Sequence, residues 1–162
     1  LLEDLKKKQA KLPCGCSGTA VKTLKDKKVE GEGCRVKGGK SESELVNWPV
    51  QLKLVPVDAP YFKNSDLLIA ADCVAFSYPD FHKGLLRGKP LIIGCPKLDE
   101  SEMYIEKLAE IFKVNGLKSV TVAHMEVPCC FGLNHIVDEA LKISGKKIPL
   151  KEITIGIQGD LK

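Results

Sequence analysis

Leu67-Leu68-Ile69-Ala70-Ala71-Asp72-Cys73 is the stretch that decides the fold of this chain. Its apolar residues run on without alternating, the pattern of a strand covered on both faces in a parallel sheet. Two further runs read the same way. Pro90-Leu91-Ile92-Ile93-Gly94 stops at Cys95, and Val120-Thr121-Val122-Ala123, extended through Val127-Pro128, stops at Cys129 and Cys130. In an open parallel sheet the loops at the carboxyl ends of neighbouring strands converge on one crevice, where such folds bind ligands.

Outward from these runs, strands and helices alternate. Strands are expected at Val50 to Val55, Leu67 to Asp72, Pro90 to Gly94, Ser119 to Val127 and, peripherally, Glu152 to Ile157. Ser101 to Val114 has Tyr104, Ile105, Leu108, Ile111 and Phe112 on one helical face, and Asn115-Gly116 ends it. Leu133 to Ser144 carries Ile136, Val137, Ala140 and Leu141 on one stripe, and a short helix fits Tyr78 to Leu86. The expected fold is therefore α/β: a mainly parallel open sheet with flanking helices, Rossmann-like and three-layered, preceded by an irregular arm. Residues 1–46, rich in Lys and Gly, read as that arm or linker, with a short helix at Leu1 to Ala10. A loose hairpin is expected from Val21 to Val29 and Cys34 to Val36. Residues 47–162 form the cysteine-bearing domain.

The 162 residues suit one domain with an appended arm, and 44% apolar with 28% charged residues is ordinary for a soluble protein. No run approaches a membrane span, and the amino end lacks a signal peptide's apolar core. The chain begins with Leu, as a fragment of a longer protein would. Seven cysteines, an odd number, several beside core strands, point to a reducing cytoplasm with metal-binding or redox thiols, not to a disulfide scaffold. The net charge of +4 is concentrated in the first segment, at Lys6, Lys7, Lys8, Lys11, Lys22, Lys25, Lys27 and Lys28. No aromatic residues interleave with it, so it reads as a solvated arm and not as a nucleic-acid site.

Cys73, Cys95, Cys129 and Cys130 at converging strand ends are the pattern a metal or iron–sulfur site needs. Gly94 allows close backbone approach beside Cys95, and Pro96 stops the strand. A helix amino terminus after Cys130 stabilises thiolate, the form that binds metal. Four thiolates satisfy a [4Fe–4S] or [2Fe–2S] cluster, or a tetrahedral zinc. Neighbouring side chains diverge in an extended chain, so one of Cys129 and Cys130 is expected to ligate and the other to support it. Each cysteine also has a plain reading as a buried core residue. Cys14 and Cys16, in Pro13-Cys14-Gly15-Cys16-Ser17-Gly18, form a C-x-C turn from which Cys16 can supply a missing ligand. Cys34 has no such context.

Around these thiols, Asp72 is a candidate proton carrier or loop cap. His82 follows the Cys73 loop and can bond to a cluster sulfur, and His135 is placed in the first helical turn after Cys130. His124, mid-strand, reads as a satisfied sheet residue. Neither the ferredoxin three-cysteine run nor paired C-x-x-C is present, and there is no P-loop, G-x-G-x-x-G or G-x-S-x-G.

The blocks Trp48-Pro49-Val50-Gln51-Leu52, Ala70-Ala71-Asp72-Cys73-Val74, Tyr78-Pro79-Asp80-Phe81-His82, Ile93-Gly94-Cys95-Pro96-Lys97-Leu98 and Met125-Glu126-Val127-Pro128-Cys129-Cys130 together carry a family resemblance. Over about residues 13–157 the chain resembles the carboxyl-terminal domain of ferredoxin-like 4Fe–4S iron–sulfur proteins of anaerobic bacteria. The resemblance implies an iron–sulfur context and a ferredoxin module, in the same longer chain or separate, as partner. The layout of cysteines is also similar to that of the delta subunit of methyl-viologen-reducing hydrogenase. The readings left open are an electron-transfer or redox-sensing domain, a cluster-dependent enzyme with an open coordination site, and a zinc-stapled or metal-free interaction module.

Overall fold

The computed structural model describes residues 18–24 and 42–162. The expected helix at Leu1 to Ala10, most of the expected hairpin, and Cys14, Cys16 and Cys34 lie outside the described residues. The three apolar runs are strands: β3 (Asp66–Ala71), β4 (Leu91–Gly94) and β5 (Ser119–Met125). With β6 (Leu150–Ile155) they make a parallel sheet in the order β4-β3-β5-β6. Leu67 to Ala71 are all 2% exposed or less, because layers cover both faces of β3. That burial is why their sequence does not alternate.

Among the described residues, three α-helices accompany the sheet: α1 (Val74–Ser77) after β3, α2 (Ser101–Asn115) after β4 and α3 (Pro128–Ser144) after β5. α2 buries Tyr104, Leu108, Ile111 and Phe112, α3 buries Leu133, Ile136, Val137 and Ala140, and the two helices pack on each other. Both end at a left-handed glycine, Gly116 and Gly145, where a side chain would be strained. The expected short helix at Tyr78 to Leu86 is a π-helical segment (Phe81–Leu86), and α1 precedes it with Pro79 between them. A proline lacks the N–H that one continuous helix would need there.

Val50 to Val55, expected as a strand, is not one. Gln51 makes a single parallel bridge to Ile93 at the sheet edge, and the chain then turns. Leu52 and Val55 supply the apolar signal by being buried in the turn, at 1% and 0% exposure. Of the expected hairpin only residues 21–24 are described. β1 (Lys22–Thr23) lies antiparallel to β2 (Asn47–Trp48), far along the chain. Asn47, fully buried, donates to Pro49 O and Leu91 O and accepts from Leu91 N, which ties this ribbon to β4. Among the described residues no helix is long and apolar enough to cross a membrane.

Candidate functional site

In the order β4-β3-β5-β6 the chain leaves β3 toward one edge and, after β4, returns past β3 to the other. Right-handed crossovers then put the connection after β3 on one face of the sheet and α2 and α3 on the opposite face. The carboxyl ends of β3 and β5 thus form the switch point of the sheet. Cys73 caps α1 immediately after β3, and Cys129 and Cys130 follow β5. Cys95 is the first residue past β4. Its neighbour Pro96 lies against α3, so close that a Cβ on Gly132 would be 3.3 Å from the Pro96 Cβ. Cys73 and Cys129 are exposed, Cys95 is partly buried and Cys130 is buried.

α3 begins at Pro128, earlier than the expected start at Leu133. Proline suits the first helical position because its missing N–H has no partner to lose there. Cys129 and Cys130 are therefore helical and not extended: they stand about 100° apart around the first turn, close enough to hydrogen-bond to each other. Burial pushes the Cys130 thiol above its ordinary range, against a backbone hydrogen bond from Met125. The like charges of Cys129 and Cys73 push the same way. This reverses the expected effect of the helix start at Cys130, because desolvation outweighs the dipole there.

Asp72 has one carboxylate oxygen buried without a hydrogen-bond partner. Burial, and then repulsion from Asp99, hold its pKa above the usual carboxylate range. Asp99 is shifted down, chiefly by its hydrogen bond from Lys53 and next by that from Tyr104. Lys53 meets Asp99 at 2.5 Å, and the Tyr104 hydroxyl donates to Asp99, with Gln51 3.3 Å away. Of this Asp72–Asp99–Tyr104–Lys53 group beside Cys95, the sequence marked only Asp72. Tyr104 carried only a core signal there, since its ring lies on the apolar face of α2. The glycine at 94 was the available clue: a Cβ at Gly94 would sit 2.6 Å from the Tyr104 ring.

The histidines are not brought to the thiols. His82 accepts a hydrogen bond from Glu44 N at 3.1 Å and stacks edge-on with Phe81, anchoring the incoming chain. His135 is exposed and lies two turns into α3. Its expected place in the first turn followed from the late helix start, and it moves away with that correction. His124 is satisfied, as expected: Nδ1 meets Met125 O and Nε2 meets Glu152 Oε1, each at 2.9 Å. Its ring also packs edge-on against Phe131, which follows the cysteine pair.

Soft thiol donors suit an iron–sulfur centre or zinc in kind. They do not form a closed set in one copy. Among the described residues, no group of three or more His, Cys, Asp and Glu side chains is placed to hold a metal ion. Cys16, the expected reserve ligand, lies outside the described residues.

Residues 59–162, from the turn before β3 to the carboxyl end, match the Rossmann-like domain family. The chain belongs to that family. This Rossmann-like domain is also similar to an uncharacterized protein of Archaeoglobus fulgidus, 32% identical over 116 residues, which covers 72% of this chain and 81% of that protein. No solved structure matches the chain.

Proposed function

We propose that this Rossmann-like domain is a redox domain whose strand-end thiols hold an iron–sulfur centre, most simply a [4Fe–4S] cluster. Its role would be electron transfer or redox sensing alongside a ferredoxin module or another redox protein, as in the iron–sulfur proteins that the sequence blocks resemble. The observation that carries this reading is the gathering of Cys73, Cys129 and Cys130 at the switch point of the sheet. They stand close enough there for the charges of Cys73 and Cys129 to act on Cys130, with Cys95 on the adjoining strand end. Bound there, a cluster supplies one-electron chemistry. The thiols of Cys73, Cys95, Cys129 and Cys130 would be its donors, drawing together as it binds, since no three such side chains already stand as a set among the described residues; backbone N–H groups at the start of α3 and a partly dry wall would tune the potential. Asp72, whose carboxyl is biased toward holding its proton, stands beside Cys73 as a group able to move a proton with the electron. Free thiols fit a reducing cytoplasm.

Anaerobic purification, or reconstitution with ferrous iron and sulfide, is expected to give a brown protein with iron and sulfide in equal amounts. Cys73→Ser is expected to abolish the visible absorbance. A colourless protein that takes up zinc instead would assign the thiols to a structural staple. One that takes up neither would leave them as redox thiols or core residues.

A further inference from the structure

Cys73, Cys129 and Cys130 gather where β3 and β5 end, and the backbone sets which of them meet. β3 and β5 are hydrogen-bonded neighbours whose register places Ala70 beside Ala123. Carried on by two residues, that register sets Asp72 beside Met125, and Cys73 follows Asp72. The first turn of α3 folds back over the same place. Cys130 N donates to Val127 O at 3.0 Å, and the Cys130 thiol is hydrogen-bonded to the Met125 backbone and to Cys129. α1, which Cys73 caps, packs on both β3 and β5. Cys73 and Cys130 thus reach one strand end from neighbouring loops.

We propose that, with no metal bound, Cys73 and Cys130 form a disulfide across the β3–β5 switch point when the protein meets a low-molecular-weight disulfide. Separation selects the pair. Neighbouring strands run about 4.8 Å apart, inside the roughly 4.4–6.8 Å that a disulfide spans between Cα atoms. Cys129 and Cys130 are adjacent in a helix, with Cα atoms about 3.8 Å apart, too close for an ordinary disulfide. Cys95 leaves β4, which lies on the far side of β3 from β5. Cys73 is exposed and Cys130 buried, which orders the two steps. The Cys73 thiolate attacks one sulfur of the small disulfide, whose other half leaves as a thiolate and takes a proton. Cys130 then gives up its proton and attacks the Cys73 sulfur of this mixed disulfide, and the second half leaves in the same way. Two protein thiols and one small disulfide become one protein disulfide and two small thiols, with two electrons passed to the oxidant. Cys130 needs no access to water for its step, because it is held beside its target. The inference goes beyond the proposed function and does not depend on it. Where the same thiols hold a cluster, disulfide and cluster exclude each other, and the oxidised site stays closed to iron until a reductant reopens it.

The test treats the whole metal-free chain with glutathione disulfide and maps its unreduced peptides by tandem mass spectrometry. The expected result is a Cys73–Cys130 bond within one chain, with the loss of two thiols per chain, reversed by dithiothreitol. Cys129→Ser is expected to form the same bond. Cys130→Ser, its folding checked by circular dichroism, is expected to stop at a glutathione adduct on Cys73, with formation of a bond within the chain slowed about tenfold or more. No loss of thiols, a lasting adduct on Cys73 of the parent protein, or a bond from Cys73 to Cys129, Cys14 or Cys16 would overturn the proposal. So would a bond between two chains, or an oxidised protein that takes up iron and sulfide with its Cys73–Cys130 bond intact. All of these leave the proposed function standing if the reduced protein binds a cluster. A reduced protein that takes up no iron and sulfide, yet forms the Cys73–Cys130 bond on oxidation, would remove the proposed function and uphold the disulfide.

Discussion

Gly94 ends β4 where the Tyr104 ring crosses it, and space, not backbone freedom, is what demands glycine there. A Cβ would lie 2.6 to 2.9 Å from three atoms of a fully buried ring. Gly94→Ala is expected to destabilise the fold by about 1–3 kcal/mol, the usual effect of overpacking, read from the midpoint of urea unfolding. It should also loosen the Tyr104–Asp99 bond beside Cys95. Lys107, one turn further along α2, is a second residue set by its surroundings. It donates to Lys53 O at 2.9 Å, and burial lowers its pKa to about 8. Between about pH 8 and the usual lysine range near 10.5 the unfolded chain then binds a proton that the folded chain does not, so stability rises with pH across that window. Lys107→Met should remove that rise, measured as the pH dependence of the unfolding midpoint relative to the parent protein. Neither residue announced its role in the sequence. Lys107 reads as a solvated helix lysine and Tyr104 as core, because the chain segments that bury them, around Gln51 and Lys53, are distant in sequence.

At the scale of elements, the two long helices were legible because each carries a stripe of period 3.6 and ends at a glycine. What periodicity does not mark is the first turn. α3 starts at Pro128, and Cys129, Cys130 and Phe131 belong to it although the apolar stripe begins only at Leu133. That one turn decides how the cysteine pair points. The segment after Trp48 failed in the opposite sense: Leu52 and Val55 look like a strand because burial in a turn and burial in a sheet leave the same composition. The peripheral strand β6 is the expected one, and beside its backbone ladder to β5 one carboxylate ties it to the fold. Glu152 accepts from His124, which is 1% exposed, and from Asn134 on α3. Glu152→Ala leaves His124 Nε2 with only Thr154, 3.3 Å away. It is expected to destabilise by about 1–2 kcal/mol, with faster amide hydrogen exchange in β6 than in β3.

Across the whole molecule, the strand order sorts the four domain cysteines by access. Alkylation of the native, metal-free protein, followed by peptide mass mapping, is expected to modify Cys73 and Cys129 first and Cys95 more slowly. Cys130 should react only on unfolding, because it is 5% exposed and its thiol is shifted upward. Equal reactivity of all four would mean that the start of α3 does not shield Cys130 as the fold requires. The same order places the exposed side chains of Leu98, Phe76, Phe131 and Ile157 after successive strands of the sheet, although they are separated by more than twenty residues along the chain at each step.

By itself the sequence determined the class of this fold. Unbroken apolar runs demand strands covered on both faces, striped segments between them demand helices, and together they leave little but a parallel α/β sheet. It also determined that thiols stand at the strand ends, since the residue that stops a run is read directly. Only the tertiary structure decided which thiols face one another, which are buried, and what surrounds them. Those properties depend on the order β4-β3-β5-β6 and on the face each connection takes. Strand order is a long-range outcome of packing: the same runs with the same periodicity pack in other orders, each placing different loops side by side. Asp72 beside Asp99, Tyr104 over Gly94 and the thiols at the β3–β5 switch point are consequences of that order.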